Sequence, residues 1–136
     1  MKYLISILVF LFILSGCSGK PSDNEIKKKV IENLLSDGFE EILTIENFEK
    51  TNGYEKDSQT YVAVVKYEIV FQKGLQDLSK QLRKEYEGSL LGPMQADAIT
   101  MALEMQYGNF KEGYRVKKDE QFTFIRAESG WLIEEK

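Results

Sequence analysis

Residues 61–72 most narrowly limit the folds open to this chain. Tyr61, Ala63, Val65, Tyr67, Ile69 and Phe71 alternate with Val62, Val64, Lys66, Glu68, Val70 and Gln72, the period of two that a β-strand imposes on its side chains. One face is wholly apolar or aromatic, and the other turns polar in its second half. Such a strand belongs in a sheet with one face covered. Lone strands and simple hairpins are marginal in water, so the flanking chain has to supply both strand partners and a covering layer.

That flanking chain reads as follows. A helix is expected over about 23–37, with Ser22 and Glu25 at capping-box spacing and Ile26, Val30, Ile31, Leu34 and Leu35 on one face. Gly38 stops it. A strand at about 40–50 carries Ile42, Leu43, Ile45 and Phe48, and Asn52-Gly53 is a strong hairpin signal, with Asp57-Ser58 as the later alternative. From Gly74 the period becomes helical, with Leu75, Leu78, Leu82 and Tyr86. Gly88 to Pro93 interrupts it, and Pro93 then opens a second helix bearing the stripe Met94, Ala98, Met101, Ala102 and Met105 up to Gly108. A third strand at about 112–126 shows Tyr114, Val116, Phe122, Phe124 and Ile125. The turn Glu128-Ser129-Gly130 leads into a last short strand, Trp131-Leu132-Ile133. The order is helix, two strands, two helices, two strands. It implies an α+β domain: an N-terminal helix packed on a curved antiparallel four-stranded sheet, with a two-helix insertion between strands 2 and 3.

The first 16 residues are of another kind. One early charge, Lys2, precedes an apolar run from Tyr3 to Leu14 interrupted only by Ser6. The run is shorter than the roughly 18–20 residues of a membrane span and fits the apolar region of a secretory signal. The following Leu14-Ser15-Gly16-Cys17 resembles the lipobox of bacterial lipoproteins. What the resemblance implies is a thioether-linked diacylglyceryl group on Cys17, cleavage between Gly16 and Cys17, and further acylation of the new amino group. Two or three acyl chains hold a protein stably on a membrane, whereas one is marginal. Ser18 stands where inner-membrane retention in Gram-negative lipoproteins uses aspartate, so the resemblance points to the outer membrane, facing the periplasm, in such a cell. The expected division is signal peptide 1–16, lipidated N-terminus and tether 17–22, and one domain 23–136. Fully extended, the five residues 18–22 reach only about 17 Å, which keeps the domain close to the lipid. Lys27, Lys28 and Lys29 are read as a solvated face, or as a contact to anionic head groups.

The element order also resembles the cystatin-like and NTF2-like folds, in which a curved sheet wraps an N-terminal helix. Inhibition of cysteine proteases in the cystatin manner uses a Q-x-V-x-G hairpin. Gln59-Thr60-Tyr61-Val62-Ala63 keeps only the glutamine, which argues against that activity. Because such folds host many unrelated jobs, the fold does not choose a function.

Composition narrows the chemistry. The chain has no histidine and one cysteine, which excludes Ser-His-Asp and Cys-His catalysis, histidine-bearing zinc sites and intramolecular disulfides. Residues 17–136 carry 17 basic against 22 acidic side chains, too acidic for general nucleic-acid binding. Neighbouring carboxylates such as Glu40-Glu41 and Asp119-Glu120 point to opposite faces of a strand and make no dyad by themselves. Neither a calcium-loop spacing nor a glycine-rich phosphate loop is present, and no cofactor is expected. Methionine-rich faces adapt to varied partners, so Met94, Met101 and Met105 are the candidate contact residues. The plainer reading of the same stripe is that it packs its helix on the sheet or on the 75–86 helix. Aromatics of the strands (Tyr61, Tyr67, Phe71, Tyr114, Phe122, Phe124, Trp131) are expected in the core. The reading that follows is a non-enzymatic, lipid-anchored cell-envelope domain that binds an envelope protein or a small ligand. Its alternatives are an NTF2-like pocket enzyme or ligand carrier, and a structural accessory of a secretion or surface assembly.

Overall fold

A computed structural model describes residues 19–135; the expectations for Gly16, Cys17 and Ser18 fall outside these residues. Helix α1 spans Asp23–Leu34, and strands β1 and β2 span Leu43–Asp57 and Thr60–Phe71. Helices α2 (Leu75–Glu85) and α3 (Gly92–Tyr107) follow, then strands β3 (Arg115–Ala127) and β4 (Gly130–Ile133). The four strands form one antiparallel sheet in the order β1-β2-β3-β4. The α+β class, the four-stranded antiparallel sheet and the two-helix insertion are therefore as the periodicity implies.

Local chemistry accounts for the element ends. Ser22 caps α1, its Oγ accepting from the Glu25 backbone N–H at 3.1 Å. The helix stops at Leu34, earlier than Gly38 suggests, because a 3-10 helix over Ser36–Glu41 takes over. Ser36 Oγ donates to the Asn33 carbonyl at 2.8 Å, removing one acceptor that a longer α-helix would use. Phe39 and Ile42 then line one small cavity together with Leu34.

The hairpin overturns the first of the two expected turns and falls within a residue of the later alternative, Asp57-Ser58. Asn52-Gly53 is not a turn: β1 runs through it to Asp57, and the reversal falls at Ser58-Gln59, where Asp57 Oδ1 accepts from the Gln59 N–H at 2.8 Å. Gly53 lies opposite Ala63 for a packing reason. A Cβ built there would come within 2.1 Å of the Tyr61 hydroxyl, so the missing side chain is the space the Tyr61 ring occupies. β1 carries register irregularities between Glu46 and Glu49 and twice more before its end. At the first, Asn47 adopts φ 51°, a left-handed conformation asparagine tolerates better than most residues.

The odd-numbered residues of β2 face the core. They form one cluster with Ile26 and Val30 of α1, Leu75, Leu78 and Leu82 of α2, Ala96 of α3, and Phe110, Phe124 and Trp131, and α1 lies against β1 and β4. Phe71 packs within this cluster, its ring 4.2 Å from Phe110 and 5.2 Å from Tyr107. Of the aromatics expected inside, Tyr114 is the exception at 43% exposed. Lying just before β3 and not within it, it stacks on Phe110 from outside.

Candidate functional site

Two features of the surface stand out, and the first is α3. This helix is apolar on two opposite sides. It docks through Ala96, with Ile99, Leu103 and Tyr107 packed against the core beside it. Gly92 permits this docking: a Cβ there would fall 1.8 Å from the Tyr86 carbonyl oxygen at the end of α2. Arg83 of α2 then clamps Asp97 of α3, Nε at 2.9 Å and Nη2 at 2.7 Å from the same oxygen. With Ala96 and its neighbours spent on packing, the methionine stripe has nowhere to go but outward. Met94 is 69% exposed, Met101 62% and Met105 79%. Ala98 and Ala102 are exposed between them, and Leu90 and Leu91 extend the patch before the helix begins. The expectation that this stripe packs on the sheet or on α2 is therefore corrected. The three candidate contact residues share one open face.

Exposed apolar surface of this kind is uncommon on monomeric domains and marks interaction sites. Its spacing is visible in the sequence, but the second apolar face is visible too. Periodicity alone does not say which of two faces goes inside.

The second feature is a cleft on the inner side of the sheet. Buried Tyr67 donates from its hydroxyl to Glu120 Oε2 at 2.7 Å. Burial, then the hydrogen bond to Glu120 and the Glu120 charge, push the Tyr67 phenol well above its ordinary value. Burial, with the Glu120 charge behind it, likewise raises Tyr107. Beside this cluster an open groove of about 990 Å³ runs between Asn33 of α1 and the β3–β4 edge. Glu120, Glu134 and Glu135 line it with Phe122 and Ile133. The sequence reading sets Asp119 and Glu120 on opposite faces without saying which of them faces inward, and so does not single out Glu120. The signal was the strand parity that sets it two residues from Phe122.

A smaller cavity of about 190 Å³ lies among Leu34, Ile42, Ile69, Phe71, Leu103 and Tyr107, below the about 300 Å³ at which ligand pockets begin. Among the described residues no group of three or more acidic or cysteine side chains is placed to hold a metal. Nor is any helix among them long and apolar enough to cross a membrane. The outer sheet face carries a charge network instead: Arg115 donates to Glu46 at 2.6 Å and to Glu68 at 2.7 Å, tying three strands together. The Asn47 amide, followed by Arg115, holds the Glu68 carboxyl below the usual range. Compared with family models, with curated proteins and with solved structures, the chain matches none.

Proposed function

We propose that the chain is a lipid-anchored cell-envelope protein whose folded domain is a non-enzymatic binding module, with the exposed face of α3 as its contact surface. The observation that carries the binding part is the outward stripe Met94, Met101 and Met105 on a helix already anchored by its opposite side. Methionine suits such a surface because its unbranched, polarisable side chain conforms to the partner it meets. The anchor rests on Leu14-Ser15-Gly16-Cys17 and the apolar run before it. Placed on a membrane through Cys17, the domain would work within a thin layer above the lipid. A weak contact counts for more there than in solution, because both partners are confined.

Two measurements test the two parts. Mass spectrometry of the membrane fraction is expected to show a chain beginning at Cys17 with its mass raised by acyl groups; an unmodified chain that retains residues 1–16 overturns the anchor. In-cell crosslinking is expected to trap a partner that the triple variant Met94→Ala, Met101→Ala, Met105→Ala captures at least several-fold less well while melting at the same temperature. Equal capture by the variant removes α3 as the contact surface.

A further inference from the structure

The outward face of α3 has a regularity beyond being apolar. Leu91, Met94, Ala98, Met101 and Met105 are all exposed and recur at steps of three and four, the a/d alternation of a seam between paired helices. On the helical wheel this seam lies opposite Ala96 and Leu103, which face the core. The occupant it fits is another helix, not a flat surface or a small molecule.

We propose that the occupant is α3 of a second copy of this chain, running antiparallel about a two-fold axis; this deepens the binding reading above and rests on the α3 face being the contact surface. The sizes along the seam are self-complementary. In the register that sets Ala98 of one copy opposite Met101 of the other, Met94 falls opposite Met105. The two central layers each pair a small residue with a long one, and the outer layers pair methionines. The steps that would leave a gap in a parallel pairing, alanine on alanine, are filled.

Charge on the flank agrees with this. In the same register Glu104 of one copy comes level with Asp97 of the other, two carboxylates that would repel if bare. Arg83 sits at that place. It binds Asp97 through Nε and Nη2, which leaves Nη1 to donate towards the incoming Glu104. The two-fold axis repeats the arrangement at the other end of the same flank, so each interface holds two guanidinium groups between two pairs of carboxylates. A seam from one 16-residue helix is small beside the roughly 1,200–2,000 Å² of specific interfaces. The pair is thus weak in dilute solution and becomes populated when both copies share a membrane.

Cysteine crosslinking in membranes tests this, using full-length chains expressed in a bacterial host. Two copies with different epitope tags carry Ala98→Cys and Met101→Cys respectively, and a mild oxidant is added to the membrane fraction. A dimer bearing both tags is expected, at least tenfold above a Lys28→Cys pair on the outer side of α1 and above chains with Cys17 alone. Adding Met105→Lys to both copies is expected to reduce the link at least fivefold without shifting the melting temperature. Self-pairing is overturned if the 98–101 link is no stronger than the control. It is equally overturned if the cysteines link only to a different protein, which would assign the seam to a foreign helix. Stronger 98–98 and 101–101 links would reject the antiparallel register. The mass of the Cys17 peptide is read from the same membranes, and crosslinking is repeated on purified chain at high concentration. Loss of the anchor and loss of self-pairing are thereby told apart.

Discussion

Single residues set the fine geometry, and two of them yield direct expectations. Gly53→Val places a branched side chain where the Tyr61 hydroxyl lies 2.1 Å from an ideal Cβ. The Tyr61 ring must leave its buried place over β1, and denaturant unfolding is expected to show a loss of about 1–3 kcal/mol. Tyr67→Phe removes the donor to Glu120 and is expected to cost about 1 kcal/mol at neutral pH. Its signature is at high pH. A phenol raised in the folded state is protonated alike in both states below its ordinary value of about 10. Above that pH the unfolded chain ionises first, so stability falls as pH rises. Thermal melts between pH 8 and 11 are expected to show a steep decline in the parent and a shallower one in the variant; parallel declines would remove Tyr67 as the source. Neither role is readable from residue type. Gly53 looks like a turn residue beside Asn52, and Tyr67 looks like any core aromatic until Glu120 is placed across from it.

At the scale of elements the capping and packing rules do most of the work. Ser22→Ala removes the side-chain acceptor at the start of α1 and is expected to cost about 1 kcal/mol, seen as a lower denaturation midpoint. For α3, Leu103→Ala is expected to destabilise by about 2 kcal/mol. The triple methionine variant should stay within about 0.5 kcal/mol of the parent, because its side chains touch mainly water. The opposite ranking in a denaturant series would mean that the helix docks through its methionines. Helix and strand existence was legible throughout, since the periods of 2 and 3.6 are strong at 61–72, 75–86 and 23–34. Boundaries were less so. The 3-10 helix over Ser36–Glu41 leads to Ile42, which packs against the core, a long-range demand that no local signal announces. The face of α3 was ambiguous for a related reason. With Ala96, Ile99 and Leu103 on one side and Met94, Met101 and Met105 on the other, the sequence offers two stripes, and only the shape of the surface waiting for the helix selects one.

The whole molecule has one core, shared by the inner face of the sheet and all three helices, with Phe71 packed on Tyr107 and Phe110 within it. Phe71→Ala is expected to cost about 3–5 kcal/mol, a large part of the about 5–15 kcal/mol that holds a domain together. Because the sheet is continuous, Trp131 fluorescence, reporting β4, should unfold together with the helix signal in circular dichroism. Separate transitions would show that the helices melt independently of the region around Trp131. The amino-acid sequence by itself determined the class of fold, the order of its elements and the exclusion of histidine and disulfide chemistry. Those depend on residue inventory and on short-range periodicity. Tertiary structure alone decided that β1 passes through Asn52-Gly53 and that the methionines of α3 face outward. Each of these is a choice between locally equal alternatives, settled by which arrangement buries more apolar surface without a steric clash or an unpaired polar group.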